Sequence, residues 1–468
     1  MTRPTRHGHR GPRQSVPVAQ WVTVPSRYAG FGVVLLATLL ASCDGDQDTA
    51  TQTTGTSPTS TSTSVVVRPN IVLIMADDLG EETLDAYGDA TWETPTIDQL
   101  ADEGLRFETV YATPICTPSR VQLLSGLYPF RTGWTDLIAT NGECLDPELS
   151  VLANTLQQSG YRTAMAGKWQ LCRWDEHPTN LNDAGFDEAF VWSWRVGDGR
   201  PNRYWDPGIW WDDQFDEAAW VGAYGPDLDA DFLISFIEQA GDEPFFAYYP
   251  MALPHSPYLA PPTHPEVDPT LDDPAHFGWM VTYMDTLVAR VLDALETSGQ
   301  RENTLVVFTG DNGTDRVIET VMQDGSVVQG GKGTMGEPGL QVPLVFHWPG
   351  RVAPEVRDDL VDFTDLMPTL VELAGVSPPP GDGHSIAGYI DPSHGTPEPR
   401  SWVYGQYDLY WSIRGTRWKL DSTDAVFDLD SDPTETAPYL PGEDTEESAV
   451  ARAELMAAWS DLANSPAP

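Results

Sequence analysis

Arg68-Pro-Asn-Ile-Val-Leu-Ile-Met-Ala76, followed at once by Asp77-Asp78, is the stretch whose reading decides the fold. Its unbroken apolar run, closed by Pro69 on one side and two acids on the other, reads as a strand buried on both faces. Such strands lie inside parallel sheets, and their carboxyl ends are where those sheets carry function. Working outward, Tyr161–Ala166, Phe245–Tyr249, Thr304–Thr309 and Pro343–Trp348 are further short apolar runs of strand length. Helical stretches fall between some of them. Thr96 to Gly104 has Thr96 as cap, Ile97, Leu100 and Ala101 on one face and Gly104 as stop. Ser150 to Gly160 repeats that logic with Ser150 as cap, and Phe277 to Leu295 is longer. The alternation predicts an α/β fold in which a large, mainly parallel sheet is sandwiched by helices.

Pro378-Pro-Pro-Gly-Asp-Gly383 marks a boundary loop. Beyond it, Ser401–Gln406, Leu409–Arg414, Arg417–Leu420 and Ala425–Leu429 predict short strands of a small antiparallel subdomain with a helix. The organisation expected is a leader over 1–42, a tether over 43–66, an α/β domain over 67–380, the subdomain over 381–440, and an acidic tail or terminal helix over 441–468. The leader has five Arg, then the short apolar run from Phe31 to Leu40, too short for a comfortable membrane span but right for a signal peptide. Leu40-Ala41-Ser42-Cys43 resembles the lipobox of bacterial lipoproteins, which implies cleavage before Cys43 and lipid on its thiol. The Thr- and Ser-rich tract that follows cannot bury apolar surface and suits a flexible tether. The expected location is therefore outside the cytoplasm, as a membrane-anchored lipoprotein of the periplasm or cell surface, touching the membrane only through its lipid.

With 40% hydrophobic residues the chain can build a core, and its formal net charge is −44. Without the five leader Arg, 21 basic residues face 70 acidic ones. That balance excludes nucleic acid as a partner and requires any anion site to be a local positive pocket in a negative field. Export would also permit a disulfide between Cys144 and Cys172.

The chemistry gathers at Cys116-Thr-Pro-Ser-Arg120. Pro118 suits the first turn of a helix running to Gly126, with Thr117 as a cap candidate. Residue 116 then lies at a helix N-terminus, where free amides favour an anion, and Arg120 returns to the same end one turn later. By themselves these five residues also fit a buried structural Cys.

Cys116-Thr-Pro-Ser-Arg-Val-Gln-Leu-Leu-Ser-Gly126 resembles the signature of the sulfatases, in which a Cys before x-Pro-Ser-Arg is oxidised to formylglycine. Asn70 to Gly80, Ala166-Gly-Lys-Trp169, His255-Ser-Pro257, Gly310-Asp-Asn-Gly313 and Gly331-Lys-Gly-Thr334 each resemble a block of that family, in the family's order. The resemblance implies an alkaline-phosphatase-like fold and a sulfuric ester hydrolase that releases inorganic sulfate. It implies that Asp77, Asp78, Asp311 and Asn312, with the modified Cys116, hold one divalent cation. Hard oxygen donors suit Ca²⁺, or Mg²⁺ in its place, and disfavour Zn²⁺. It further implies that Arg120 and Lys168 hold the formylglycine diol, with Lys168 also touching sulfate. Lys332 and His255 would contact sulfate or protonate the leaving oxygen. A formylglycine-generating maturation enzyme is an implied partner.

One departure stands out. Gly167-Lys-Trp-Gln-Leu-Cys172 carries Gln170 where the family commonly has His, and an amide cannot accept a proton near neutral pH. Between Val191 and Gly225, Trp and Arg residues are interspersed. Trp194, Trp205, Arg195 and Arg203 are substrate candidates, since aromatic faces stack on sugars and Arg binds carboxylate or sulfate. A sulfated saccharide or aryl sulfate is the expected substrate. The alternatives are a phosphonate or phosphate ester hydrolase of related architecture and a non-catalytic, glycan-binding surface lipoprotein.

Overall fold

The computed structural model describes residues 68–137, 144–173, 177–194, 199–211 and 214–468. The leader, Cys43, the tether and Arg195 lie outside the described residues.

The opening apolar run forms β1 (Asn70–Ala76), every residue of which is buried. In chain order it is followed by β2 (Leu105–Tyr111), β3 (Arg162–Lys168), β4 (Glu188–Trp192), β5 (Ile209–Trp211), β6 (Gln214–Asp216), β7 (Phe245–Pro250) and β8 (Thr304–Gly310). A small hairpin, β9 (Glu319–Val321) and β10 (Val327–Gln329), precedes β11 (Leu344–His347) and β12 (Glu355–Asp362). Ten of these strands make one sheet in the order β12-β2-β11-β8-β1-β7-β3-β4-β5-β6. The central pairings β8-β1-β7-β3-β4 are parallel, while β11 and the edge pair β5-β6 run antiparallel to their neighbours.

Because β1 is buried on both faces, its alternate side chains enter two cores. Ile71, Leu73 and Met75 join one; Val72, Ile74 and Ala76 join the other. The second core is covered by the Gly225–Ala240 and Phe277–Thr297 helices, whose apolar positions include Leu233, Ile237, Met284 and Val288. The first is covered by the Cys116–Ser125, Leu152–Gln158 and Leu366–Leu373 helices.

Two helix starts away from Cys116 differ from the expected capping. The first helix is Pro95–Glu103, and Thr96 is within it rather than at its cap. Its free amides at Thr96 and Ile97 donate instead to the Asp285 carboxylate, at 3.1 and 2.8 Å, from a helix far along the chain. The other is Leu152–Gln158, capped at Val151 rather than Ser150, with Asn154 Oδ1 accepting from the Val151 amide at 2.9 Å.

The carboxy-terminal region forms a four-stranded antiparallel sheet, β13 (Val403–Tyr407), β14 (Tyr410–Arg414), β15 (Trp418–Asp421) and β16 (Val426–Asp428). The Glu446–Asn464 helix packs on it through Leu455, against Ile413, Leu420 and Val426. Buried Lys419 donates to the Met335 carbonyl at 2.6 Å and to Glu337 at 3.0 Å. This small sheet therefore braces the loop that contains Lys332.

A cavity of about 260 Å³ lined by Glu81, Glu82, Glu337, Gln341, Arg414 and Leu429, among others, lies between that brace and the turn after β1. Burial pushes the Glu82 carboxyl up to about 7, against a hydrogen bond from Thr314. The unfolded chain thus ionises at lower pH than the native state, and stability falls as pH rises from about 4.5 to 7. Glu82→Gln should therefore stabilise the protein at pH 8 relative to pH 5 by on the order of 3 kcal/mol, read by chemical denaturation at both pH values. An equal effect at the two would contradict this.

Candidate active site

Three loops at the carboxyl ends of β1, β8 and β3 meet in one place. The register pairs Ala76 with Gly310, so Asp77 and Asp311 leave the sheet side by side. The Asp311 amide donates to the Ala76 carbonyl at 3.0 Å, and the Asp78 amide to Asp311 Oδ1 at 3.0 Å. Close approach requires glycine here, because a Cβ at Gly310 would stand 2.0 Å from the Leu79 carbonyl oxygen. Gly167 meets the same demand before Lys168, with φ of 116° and Pro250 O 2.2 Å from where its Cβ would be. Asp78 and Gln170 adopt left-handed φ of 64° and 58°. For a residue such as Gln this is a strained conformation held by its surroundings.

Cys116 is the first residue of the Cys116–Ser125 helix, buried and free. The cap position is Ile115, and Thr117, expected as a cap, leaves its hydroxyl buried without a hydrogen bond. Ser119 secures the turn instead, its hydroxyl accepting from the Thr113 amide at 3.1 Å. Asp77, Cys116 and Asp311 each offer a donor atom within 4.8 Å of the others, and so do Asp77, Asp78 and His255.

Cations surround these acids. Arg120 reaches Asp311 Oδ2 through Nε (3.0 Å) and Nη2 (2.6 Å), Asp77 Oδ1 at 3.4 Å, and the Lys168 carbonyl at 2.8 Å. Lys168 Nζ holds both Asp77 oxygens at 2.6 and 2.7 Å. Lys332 Nζ donates to Asp78 and to His255 Nε2, the latter at 3.0 Å. Its loop is fixed from both sides: the Lys332 amide donates to Thr314 O at 2.9 Å and the Gly333 amide to Pro114 O at 2.7 Å. Arg203 Nη1 stands 3.4 Å from Asp77 Oδ2.

Burial raises the Asp78 carboxyl despite Lys332, and pushes Asp311 up to about 6 despite Arg120. Burial would raise Asp77 too, but Lys168 and its companions hold it well below the usual carboxylate range. Burial also raises the Cys116 thiol, against Lys168 and Lys332. His255 is held well below the ordinary imidazole value by burial and by Arg203, so its ring is neutral. Its Nδ1 lies against the Ser256 carbonyl, which places the proton there and leaves Nε2 as acceptor toward Lys332.

The residues present fit a hard divalent cation. Asp77, Asp78 and Asp311 are fully buried carboxylates whose burial argues for more positive charge nearby. Asn312 Nδ2 donates to Asp78 Oδ1 at 3.0 Å, while its Oδ1 is buried with no hydrogen-bond partner. An unused oxygen beside three carboxylates is a donor set for Ca²⁺ or Mg²⁺.

Of the remaining expected residues, Gln170 lies two residues past Lys168, with Oε1 buried and without a partner. Cys144 and Cys172 form a disulfide, anchoring the chain just after Gln170. The Trp194 indole donates to Cys172 O at 3.1 Å and that of Trp205 to Ala260 O at 3.0 Å. The sequence reading missed Tyr204, whose hydroxyl donates to the carbonyls of Ala252 (2.7 Å) and His255, holding the His255 loop. No motif pointed to it.

Arg120 is sealed among carboxylates, so removing it leaves buried charge unpaired. Arg120→Met should cost about 3–5 kcal/mol in denaturant unfolding, and a loss below about 1 kcal/mol would contradict the pairing.

A family model described as Sulfatase matches residues 69–376. Arylsulfatase A of Homo sapiens is 34% identical over 349 residues, covering 66% of this chain and 65% of that protein. N-acetylgalactosamine-6-sulfatase of Canis lupus familiaris is 32% identical over 349 residues, covering 66% and 63%. The chain thus spans a little under two thirds of the length of these two relatives. The crystal structure of Ps i-CgsB shares the fold, with a TM-score of 0.69 at 24% identity over 84% of this chain and 92% of that one.

Proposed function

The chain belongs to the sulfatase family, and from that premise we propose that it is a sulfuric ester hydrolase using formylglycine made from Cys116. The observation that carries this is the placement of Cys116 at a helix N-terminus, within 4.8 Å of donor atoms of Asp77 and Asp311 and under the influence of Lys168 and Lys332. Formylglycine at this position supplies the oxygen nucleophile. Asp77, Asp78, Asp311 and Asn312 would hold a divalent cation, which would supply charge stabilisation for an oxygen anion there.

The chain's own residues account for the rest. Arg120 and Lys168, locked to the carboxylates, fix the surroundings of residue 116 and concentrate positive charge where a sulfuryl group gains negative charge. Lys332, raised by Asp78 against the effect of burial, stays charged and offers an ammonium donor to the oxygens of a sulfate ester. His255 keeps an unprotonated Nε2 facing Lys332, a ring nitrogen that can accept a proton where the Gln170 amide cannot, although burial and Arg203 weaken it as a base.

The proposed substrate class is a sulfated saccharide or aryl sulfate. Support comes from the activity named for the N-acetylgalactosamine-6-sulfatase relative and from the Trp and Arg residues of the 191–225 segment. We further propose an exported, lipid-anchored form, matured by a formylglycine-generating enzyme. It rests on the basic leader and Leu40-Ala41-Ser42-Cys43.

Protein matured in its host and supplied with calcium should release inorganic sulfate from 4-nitrocatechol sulfate. Chelation should abolish release, calcium should restore it, and Cys116→Ala should show none. Failure of the calcium-loaded, matured protein to release sulfate from aryl and saccharide esters alike would overturn the proposal.

A further inference from the structure

Of the four cations around the acids among the described residues, Arg120 and Lys168 are sealed, each with a side chain 1% exposed. Solvent reaches the other two: Lys332 is 20% exposed and Arg203 14%. They stand on neighbouring acids, Lys332 on Asp78 and Arg203 on Asp77. An oxyanion reaching these acids from solvent therefore meets a cation on each of two neighbouring carboxylates.

Arg203 is also built into place. Its guanidinium lies over the Trp192 ring, 4.4 Å from the centroid, and Trp192 is itself fixed by a 3.1 Å bond from Nε1 to Pro201 O. The next two residues, Tyr204 and Trp205, are bonded to Ala252, His255 and Ala260 in the loop that carries His255. Gly225 permits this packing, since a Cβ there would stand 2.3 Å from Arg203 O. A guanidinium has a planar fork of five donors; Nη1 is engaged with Asp77 and the group also hydrogen-bonds the Tyr204 side chain, which leaves further N–H donors of the fork. The remaining edge suits two oxygens of a tetrahedral anion.

We propose that Arg203 is a catalytic residue that grips the sulfuryl group, standing over Asp77 as Lys332 stands over Asp78. The inference rests on the sulfatase reading and adds to it a charged contact from a segment outside the family-like blocks. With Gln170 neutral, Arg203 and Lys332 are the two solvent-reached cations, among the described residues that contact these acids, able to neutralise the equatorial oxygens.

The test compares Arg203→Lys and Arg203→Ala with the wild type, all calcium-loaded. Two quantities are read: binding of inorganic sulfate by calorimetry, and kcat on 4-nitrophenyl sulfate and on a uronate-bearing sulfated disaccharide. Removing a charged donor to the transition state should lower kcat on both substrates by roughly 10²-fold, and Lys should recover part of it. Sulfate binding should weaken at least about tenfold in the Ala variant, a contact-sized loss that unchanged thermal unfolding would separate from misfolding. Unchanged sulfate binding in Arg203→Ala would overturn the inference, as would absence of sulfate binding by the wild type. A loss confined to the disaccharide would also overturn it, by moving the contact to the sugar carboxylate. If the wild type binds sulfate through Arg203 but turns over no ester, the catalytic assignment falls with the sulfatase reading, whereas turnover untouched in the variants removes Arg203 alone.

Discussion

Everything in this protein depends on three carboxylates, Asp77, Asp78 and Asp311, being buried together at the ends of β1 and β8. Taking carboxylates out of water costs several kcal/mol each unless opposite charge accompanies them. Arg120 and Lys168 are that accompaniment, and they come from two further elements, the Cys116 helix and β3. One electrostatic requirement therefore ties the central strands to the helix that presents residue 116. The same requirement explains why Gly310 and Gly167 precede the charged residues, since the loops must pass close to Leu79 and Pro250.

This local concentration of positive charge matters more because the whole chain is so acidic. A formal charge of −44 repels anions at a distance. The described cluster reverses that field over a few ångströms, with four cations against three acids and an oxygen-rich cradle for a divalent cation. Lys332 and Arg203 bring positive charge to the solvent side, while Arg120 and Lys168 remain inside.

Much of this was legible in the sequence because buried strands and acid pairs are local patterns. The runs of β1, β3, β7 and β8 were readable from their apolar residues, Asp77-Asp78 from its position at a strand end, and Asp311-Asn312 from the sulfatase-like block that contains it. What was not legible depended on distant partners. Asp285 caps a helix some 190 residues before it, so Thr96 looked like the cap when it was not. The short strands β5 and β6 occupy a Trp-rich stretch with too few residues to show a period. Arg203 was readable as an anion-binding candidate, but its contact with Asp77 arises only once β4 and the 252–260 loop converge. The tautomer of His255 is set by its neighbour's carbonyl, a matter of conformation that residue identity does not encode.

The central claim is that Cys116 is a precursor rather than a structural thiol. Peptide mass spectrometry across residue 116, on protein isolated from its own host, tests this most directly. Conversion of the thiol to the aldehyde lowers the peptide mass by roughly 18 Da, and the account predicts that loss in the folded protein. An unmodified thiol throughout, in a host shown to convert another such Cys, would contradict it.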